Sequence, residues 1–261
     1  MYIIDAHTHI FPEKIAAKAT EGIGKFYGLA MKYVGTAENL LKAGQKAGVS
    51  KFLVNSVATA PAQVAAINNF IVEQTQLHSE FIGFATIHQD MENMEEEISR
   101  VINLGLKGVK LHPDFQRFQF DNPRLHKLYA LLEGRLPLLV HAGDKRFDFS
   151  GPQRIAAVLD KFPKLDVICA HFGGWSEWEN AEKVLAGRRI WVDTSSSFAF
   201  LSPEKAVSLI NAFGEDRVIF GTDFPMWDAC GELTALRALN LPDKTMEKIL
   251  NKNISNLLAL E

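Results

Sequence analysis

The chain begins MYIIDAHTHIF (residues 1–11), in which a short apolar run leads directly into the pair His7 and His9. Residues i and i+2 of a β-strand point to the same side, so both imidazoles can converge on one cation. A short apolar strand with polar residues at its carboxyl end is also the pattern that recurs along the rest of the chain.

Eight short runs of β-branched and aliphatic residues alternate with longer segments that have helical spacing. Most of these runs are apolar on both alternations, as expected for strands that are covered on each face. Strands that alternate with helices predict a parallel sheet. Eight βα units in 261 residues fit a single (β/α)8 TIM barrel, one domain over residues 1–261, better than two open sheets. The predicted strands are 2–5, 51–57, 81–87, 107–112, 136–142, 165–171, 190–195 and 217–223.

The connections are short with one exception, an unusually long loop predicted at 10–35, after the first strand. In a barrel this loop would overhang the active-site face. A last helix at 243–259 carries Ile249, Leu250 and Ile254 at helical spacing and is expected to pack on the outside. The other predicted helices are 36–47, 61–77, 91–103, 122–133, 151–161, 177–186, 202–212 and 231–239.

The composition favours a soluble globular protein over several other classes of protein. The net charge of −3 and the hydrophobic content of 47% indicate a sizeable core and argue against a nucleic-acid binder. Two cysteines, Cys169 and Cys230, cannot form a disulfide framework, and no signal peptide or membrane span is recognisable. We therefore expect a cytoplasmic protein whose partner is a small-molecule substrate; whether it forms a homo-oligomer stays open.

Polar residues also lie at the ends of other predicted strands. His141 ends the fifth strand, His171 the sixth and Asp223 the eighth, while Lys110 and His112 lie at i and i+2 on the fourth. In a barrel the carboxyl ends of the strands share one face, which carries the chemistry. Imidazole nitrogens and a carboxylate are typical ligands of zinc or another divalent transition metal. The sequence therefore predicts a metal site at this face.

The ordered motifs DAHTH, VHAG, AHFGG and GTDFP resemble the amidohydrolase superfamily of metal-dependent hydrolases. They are most similar to its amidohydrolase-related branch, which includes several non-oxidative decarboxylases. The resemblance implies that His7, His9 and Asp223 bind the metal and that His141 is a further ligand. His171 would either join a second ion or orient substrate and water. The resemblance thus implies one or two divalent ions, with zinc expected.

Lys110 bears on the number of ions. An unmodified ammonium has no lone pair to offer a metal. Lys110 must therefore be carbamylated or deprotonated to bind metal, or remain a cation that holds an anionic substrate. His112, Arg146 and Trp175 follow the fourth, fifth and sixth strands and are further candidates for substrate binding, suited to a substrate with a ring and an anionic group.

These residues predict a metal-dependent hydrolase. A divalent ion would activate water, Asp223 would take its proton and pass it to the leaving group, and His171 would stabilise the developing oxyanion. The alternative is a non-oxidative decarboxylase of a carboxylated aromatic or enol acid, with Lys110 or Arg146 holding the carboxylate. A phosphoesterase of the polymerase-and-histidinol-phosphatase type is disfavoured because GTDFP lacks the closing Asp-x-His pair. A barrel without catalytic activity would be expected to have lost some of the ligands.

Overall fold

The computed structural model describes residues 2–260, and its centre is a sheet of eight parallel strands in the order β1 to β8. Backbone hydrogen bonds join β8 to β1, with Ala6 N donating to Phe220 O at 2.9 Å and Asp223 N to His7 O at 2.8 Å. The predicted (β/α)8 barrel is therefore confirmed. The strands are β1 (Ile4–His9), β2 (Lys51–Asn55), β3 (Phe81–Thr86), β4 (Gly108–Leu111), β5 (Leu138–Val140), β6 (Val167–Cys169), β7 (Trp191–Asp193) and β8 (Val218–Ile219).

Helices follow the strands, and each of the eight helices predicted after a strand is confirmed. Their starts have local causes: the side chains of Thr36, Ser202 and Asp228 each accept a hydrogen bond from a backbone N–H of the first turn. The helices are α1 (Glu13–Tyr27), α2 (Ala37–Ala47), α3 (Val64–Leu77), α4 (Met94–Asn103), α5 (Pro113–Gln116), α6 (His126–Leu132), α7 (Pro152–Lys161), α8 (Trp178–Leu185), α9 (Pro203–Phe213), α10 (Ala229–Ala238), α11 (Asp243–Glu247) and α12 (Asn253–Leu258).

The prediction of an unusually long loop at 10–35 is wrong, because helix α1 occupies 15 of these residues. Pro12 at its start provides no side-chain cap, and Gly22 and Gly24 lower its intrinsic helix propensity. Position 24 requires glycine because of close packing: a Cβ there would lie 2.8 Å from Leu29 O. Gly28 ends the helix in the left-handed conformation at φ 67°.

The predicted last helix is also different in detail. A π-helical segment, Lys248–Lys252, separates α11 from α12. Ile249 and Leu250 belong to the larger apolar cluster, with Leu40 and Leu209, as expected for packing on the outside of the barrel. Ile254 and Leu258 belong instead to the apolar cluster inside the barrel, with Ile4 and Leu53, so α12 packs on this interior. The amino end of the barrel is therefore apolar and covered by the chain itself.

A β-bulge in β1 directs the side chains of His7 and His9 into the cavity. β1 carries an extra residue relative to β2 between two paired positions, which shifts the side-chain alternation. Ala6 belongs to the interior cluster, whereas His7 and His9 line the cavity at the carboxyl end. The bulge thus lets one strand contribute both to the apolar core and to the polar site.

No helix within residues 2–260 is long and apolar enough to cross a membrane.

Candidate active site

The carboxyl ends of the strands surround a cavity of about 170 Å³. Its polar wall comes from β1, β4, β5, β6 and the segment after β8, while its apolar wall comes largely from α1 and the loops. All the strand-end residues predicted from the sequence are brought together here. The polar wall is His7, His9, Lys110, His112, His141, His171 and Asp223, and apolar lining includes Phe11, Ile23, Phe115 and Met226.

His7, His9 and Asp223 form what we call the first cluster. Asp223 Oδ1 lies 3.1 Å from His9 Nε2 and 3.6 Å from His7 Nε2. Ser196 Oγ donates a hydrogen bond of 2.6 Å to the other carboxylate oxygen, Oδ2, and in turn accepts one from Trp227 Nε1. Burial opposes ionisation of Asp223, but its contacts with His7 and His9 lower its pKa well below the usual range.

Asp193 at the end of β7 determines the tautomer of His7. Its Oδ2 lies 2.9 Å from His7 Nδ1, so that nitrogen carries the hydrogen and donates it. Burial, followed by the charge of Lys110, lowers the pKa of His7 to about 4, which leaves the ring neutral at physiological pH. The lone pair of His7 Nε2 is therefore directed towards Asp223 and into the cavity.

The first cluster fits a divalent metal ion. Ligands at about 2.0–2.1 Å in a tetrahedral site are separated from one another by roughly 3.3 Å, and the two measured separations from Asp223 Oδ1 lie on either side of that value. One donor atom from each of the three residues lies within 4.8 Å of the others. Two imidazoles and one carboxylate are a donor set suited to zinc and similar ions.

His141 and His171 form a pair beside the first cluster rather than a part of it. His141 Nδ1 lies 3.0 Å from His171 Nε2. The nitrogen on the far side, His171 Nδ1, is 3.0 Å from Ser195 O, and a carbonyl can only accept, so this nitrogen carries a hydrogen. In its neutral form His171 therefore presents the lone pair of Nε2 to His141.

Lys110 is completely buried at the centre of the polar wall. Its Nζ lies 3.0 Å from His7 Nε2 and donates to the lone pair of that nitrogen. Burial lowers the pKa of Lys110 to about 8, while the charges of Asp223 and Asp193 act in the opposite direction. The amine is thus a cation at neutral pH that loses its proton more easily than an exposed lysine.

His112, Asp114 and His141 form what we call the second cluster, which differs in how its polar atoms are bonded. The rings of His112 and His141 stack at 4.0 Å between centroids. His141 Nε2 and Asp114 Oδ1 are buried and have no hydrogen-bond partner within the described residues. The nearest approach between these side chains, 3.8 Å from His141 Nε2 to Asp114 Oδ2, is too long for a hydrogen bond.

Helix α1 forms a roof over the cavity. Ala19, Ile23 and Tyr27 are spaced four residues apart on one face of this helix and all line the cavity. Tyr27 Oη lies 3.0 Å from His112 Nε2, and burial raises the pKa of Tyr27 well above 10. Tyr27 thus keeps its hydroxyl hydrogen at the boundary between roof and polar wall.

Arg146, expected to contact substrate, does not line the cavity. Its guanidinium pairs with both oxygens of Asp144 and donates to Phe26 O at 2.8 Å. It also lies 5.0 Å from the ring centroid of Phe26 and 5.5 Å from that of Tyr27. Arg146 therefore fastens the end of α1 to the loop after β5, a role that sequence analysis did not predict.

Trp175 lies at a small recess beside the main cavity. The recess is lined by Trp175, Tyr27, His141 and His171, among others, and the Trp175 ring meets the Tyr27 ring edge-on at 5.3 Å. The sequence-based expectation places Trp175 near substrate, and the structure places it beside the histidine pair.

Three residues with clear contacts in the site were not singled out from sequence: Asp193, Asp114 and Tyr27. Asp193 ends β7 in IWVDTS, so the strand-end rule that identified Asp223 could have found it. Asp114 follows His112 by two residues in a short helix. Tyr27 could not have been found in this way, because its helix was not recognised.

Two of the site residues have strained backbones. Asp223 and His171 adopt positive φ angles, 65° and 58°, which non-glycine residues rarely do. Such conformations cost about 1–3 kcal/mol each and tend to occur where a function requires them. At both positions the chain turns at a strand end and presents the side chain to the cavity.

Comparisons with solved structures show the same fold in full-length neighbours. A 5-carboxyvanillate decarboxylase from Sphingomonas paucimobilis superposes with a TM-score of 0.77 at 14% identity, covering 100% of this chain and 99% of that one. A probable 2-pyrone-4,6-dicarboxylic acid hydrolase from Acinetobacter baumannii gives 0.73 at 17% identity, with 100% of both chains covered. A dihydroxybenzoic acid decarboxylase from Polaromonas sp. JS666, with bound manganese and the inhibitor 2-nitroresorcinol, gives 0.70 at 18% identity, covering 99% and 97%.

These identities are too low to transfer an activity. The sequence itself, however, matches the family model described as Amidohydrolase over residues 4–260, nearly its whole length. The match includes all the strand-end motifs on which the resemblance rests, and it confirms that resemblance. The chain therefore belongs to the Amidohydrolase family.

Proposed function

We propose that the protein is a metal-dependent hydrolase of a small organic substrate, with one divalent ion held by His7, His9 and Asp223. The geometry of the first cluster carries this proposal: three donors spaced for one ion at the mouth of the barrel. Zinc is the proposed ion, because three protein ligands and an open position are typical of its catalytic sites. Manganese, named in one neighbour, is the alternative.

A bound divalent ion supplies Lewis acidity, which activates water and polarises the scissile group. The side chains of this protein handle the proton. Since Ser196 holds Asp223 Oδ2 while Oδ1 faces the imidazoles, the carboxylate can accept a proton from water and return it to the leaving group. His171, whose two ring nitrogens contact Ser195 O and His141 Nδ1, would orient the water or the substrate together with His141.

Lys110 is proposed to bind an anionic group of the substrate. Its ammonium is buried in the polar wall, where a substrate carboxylate would be a favourable partner. His112 and Trp175 are proposed as further substrate contacts, and His141 as the neighbour of His171 that could complete a second metal site.

Metal content and activity test the proposal together. Purified parent protein is expected to hold about one zinc per chain by mass spectrometry, and Asp223→Asn to lose most of it. Asp243→Asn, in the exposed first turn of α11, is the matched control and should keep the metal. Parent protein without firmly bound metal across neutral pH would refute the proposal. Hydrolysis of 2-pyrone-4,6-dicarboxylate, followed by absorbance, is the first activity to assay.

A second candidate function is non-oxidative decarboxylation. The specific observation in its favour is the buried ammonium of Lys110, 3.0 Å from a first-cluster imidazole, where it could hold a substrate carboxylate next to the ion. Two of the neighbours are named decarboxylases. Release of CO₂ from 5-carboxyvanillate or a dihydroxybenzoate, without hydrolysis of the pyrone, would favour this candidate over the hydrolase.

The proposed compartment is the cytoplasm, and the proposed partner is a small-molecule substrate. Cys169 and Cys230 are both free thiols, one buried and one exposed, which suits a reducing environment.

A further inference from the structure

We propose that Tyr27 donates a hydrogen bond from its hydroxyl to an acceptor oxygen of the substrate. The residue comes from the helical roof α1, not from a barrel strand, and lies at the boundary between the apolar roof and the histidines. The proposal rests on the proposed function only in taking this cavity as the place where substrate binds.

The direction of the bond between Tyr27 and His112 is the first step. His112 Nδ1 accepts a hydrogen bond from the backbone N–H of Phe115 at 3.3 Å, as the cap of helix α5. A ring nitrogen that accepts an N–H cannot carry a hydrogen itself. The single ring hydrogen of neutral His112 is therefore on Nε2, the nitrogen that lies 3.0 Å from Tyr27 Oη.

It follows that His112 donates and the Tyr27 oxygen accepts. The hydroxyl hydrogen of Tyr27 is not used in this contact, and within residues 2–260 Tyr27 Oη has no other hydrogen-bond partner. A phenol that accepts one hydrogen bond is polarised towards donating another. Tyr27 is therefore an available donor at the wall of a cavity.

The position of Tyr27 is fixed from several sides, so the donor is preorganised. Its ring packs against Phe115 and Trp175, with centroids at 6.0 Å and 5.3 Å. Arg146 holds the adjacent Phe26 carbonyl and lies over the Tyr27 ring. A hydroxyl held in this way loses little conformational entropy when it binds a ligand.

The surroundings indicate what kind of ligand this donor would meet. Tyr27 lines both the main cavity and the recess that contains His141, His171 and Asp223. The rest of the roof is apolar, with Ile23 and Met31 nearby. The geometry fits a small molecule with an apolar body and a carboxylate, carbonyl or phenolate oxygen facing Tyr27.

The tautomer of His112 is testable without a ligand or a metal. In parent protein labelled with ¹⁵N-histidine, we expect long-range nitrogen–proton spectra to show His112 with a hydrogen on Nε2 and none on Nδ1. The signal is assigned by its loss in His112→Gln. The opposite tautomer would make Tyr27 the donor to His112 and would overturn the proposal.

Ligand binding tests the donor itself. The probe is 2-nitroresorcinol, titrated by absorbance into protein loaded with manganese. Because a hydrogen bond to a charged group contributes about 1.5–3 kcal/mol, Tyr27→Phe should raise the Kd roughly ten- to hundredfold. Tyr33→Phe is the matched control, since its hydroxyl bonds Asp228 away from the cavity, and it should bind like the parent.

The outcomes separate this proposal from the proposed function. Equal Kd values for the parent and Tyr27→Phe, or no binding by manganese-loaded parent, would overturn the role of Tyr27. Failure of the parent to hold any metal would refute the proposed function while leaving the histidine spectra to decide the direction of the Tyr27 bond.

Discussion

The first cluster (His7, His9, Asp223) and the second cluster (His112, Asp114, His141) both combine two imidazoles with one carboxylate at the same end of the barrel. They differ in the hydrogen bonds that their imidazoles and carboxylates make with the rest of the protein. In the first, Asp193 fixes the tautomer of His7 and Ser196 holds Asp223, so lone pairs and negative charge meet at one point. In the second, one nitrogen of His141 and one oxygen of Asp114 are buried and have no hydrogen-bond partner among residues 2–260.

The two clusters therefore differ in more than the proximity of their side chains. Both rings of the second cluster stack face to face, and His112 uses its two nitrogens for Phe115 and Tyr27. Its carboxyl also titrates differently: burial raises the pKa of Asp114 to about 7, whereas contacts with histidine lower that of Asp223. The carboxylate of the first cluster is therefore ionised at neutral pH, whereas the carboxyl of the second cluster keeps its proton up to a pH of about 7.

The largest effect should come from removing the carboxylate behind His7. Asp193→Asn removes the charge that holds the tautomer and basicity of this imidazole, so metal affinity should fall about ten- to hundredfold. Asp114→Asn, the matched change in the second cluster, should leave it within about twofold. Titration with zinc in competition with a chelator measures both, after circular dichroism has shown that each variant folds. Equal losses in the two variants would mean that both clusters contribute to one metal site.

The second prediction concerns stability. A carboxyl whose pKa is about 7 when folded and about 3.9 when unfolded keeps its proton longer in the folded state. Its contribution to stability is therefore complete below pH 4 and is lost as the pH rises through 7. The asparagine of Asp114→Asn does not titrate. The free energy of unfolding of the variant minus that of the parent should therefore increase from pH 5 to pH 8 by on the order of 2 kcal/mol.

Urea unfolding of parent and variant at the two pH values measures this shift. Ser150 Oγ, which donates to Asp114 Oδ2, can keep its bond to an asparagine oxygen, so the fold should survive the change. Asp243→Asn, an exposed carboxylate, should leave the pH dependence unchanged. A parent–variant difference that stays constant with pH would show that Asp114 is ionised throughout.

Much of the barrel and the polar wall could be predicted because the rules behind them are local. Strand alternation and the shared carboxyl face were sufficient to bring His7, Lys110, His141 and Asp223 together. The bonds behind these residues depend on contacts distant in sequence, such as the one between His7 and Asp193, which lie 186 positions apart. The strand-end rule would have placed Asp193 at the site, but not its hydrogen-bond geometry.

The failures have physical causes too. Helix α1 was not predicted, because its start lacks a side-chain cap and because Gly22 and Gly24 lower its helix propensity. Of these two glycines, Gly24 is needed for close packing. The contacts of Arg146 with Asp144 and with Phe26 O are not evident from its position after the fifth strand. Helix α12 covers the barrel interior because burying the apolar amino end of the barrel is favourable, and helical spacing alone does not reveal this contact.

Lys110 lies between the two clusters and gives the smallest predicted effect, but its sign is informative. Its ammonium donates to His7 Nε2, the atom that a metal would need, and so competes with the ion. Lys110→Met removes both the competing hydrogen bond and the charge repulsion, so zinc affinity should rise roughly fivefold, or about 1 kcal/mol. A bridging carbamate on Lys110 would give the opposite result: two ions in the parent with bicarbonate and one in the variant. Metal stoichiometry and affinity, measured with and without bicarbonate, thus decide whether Lys110 opposes the ion or helps to hold a second one.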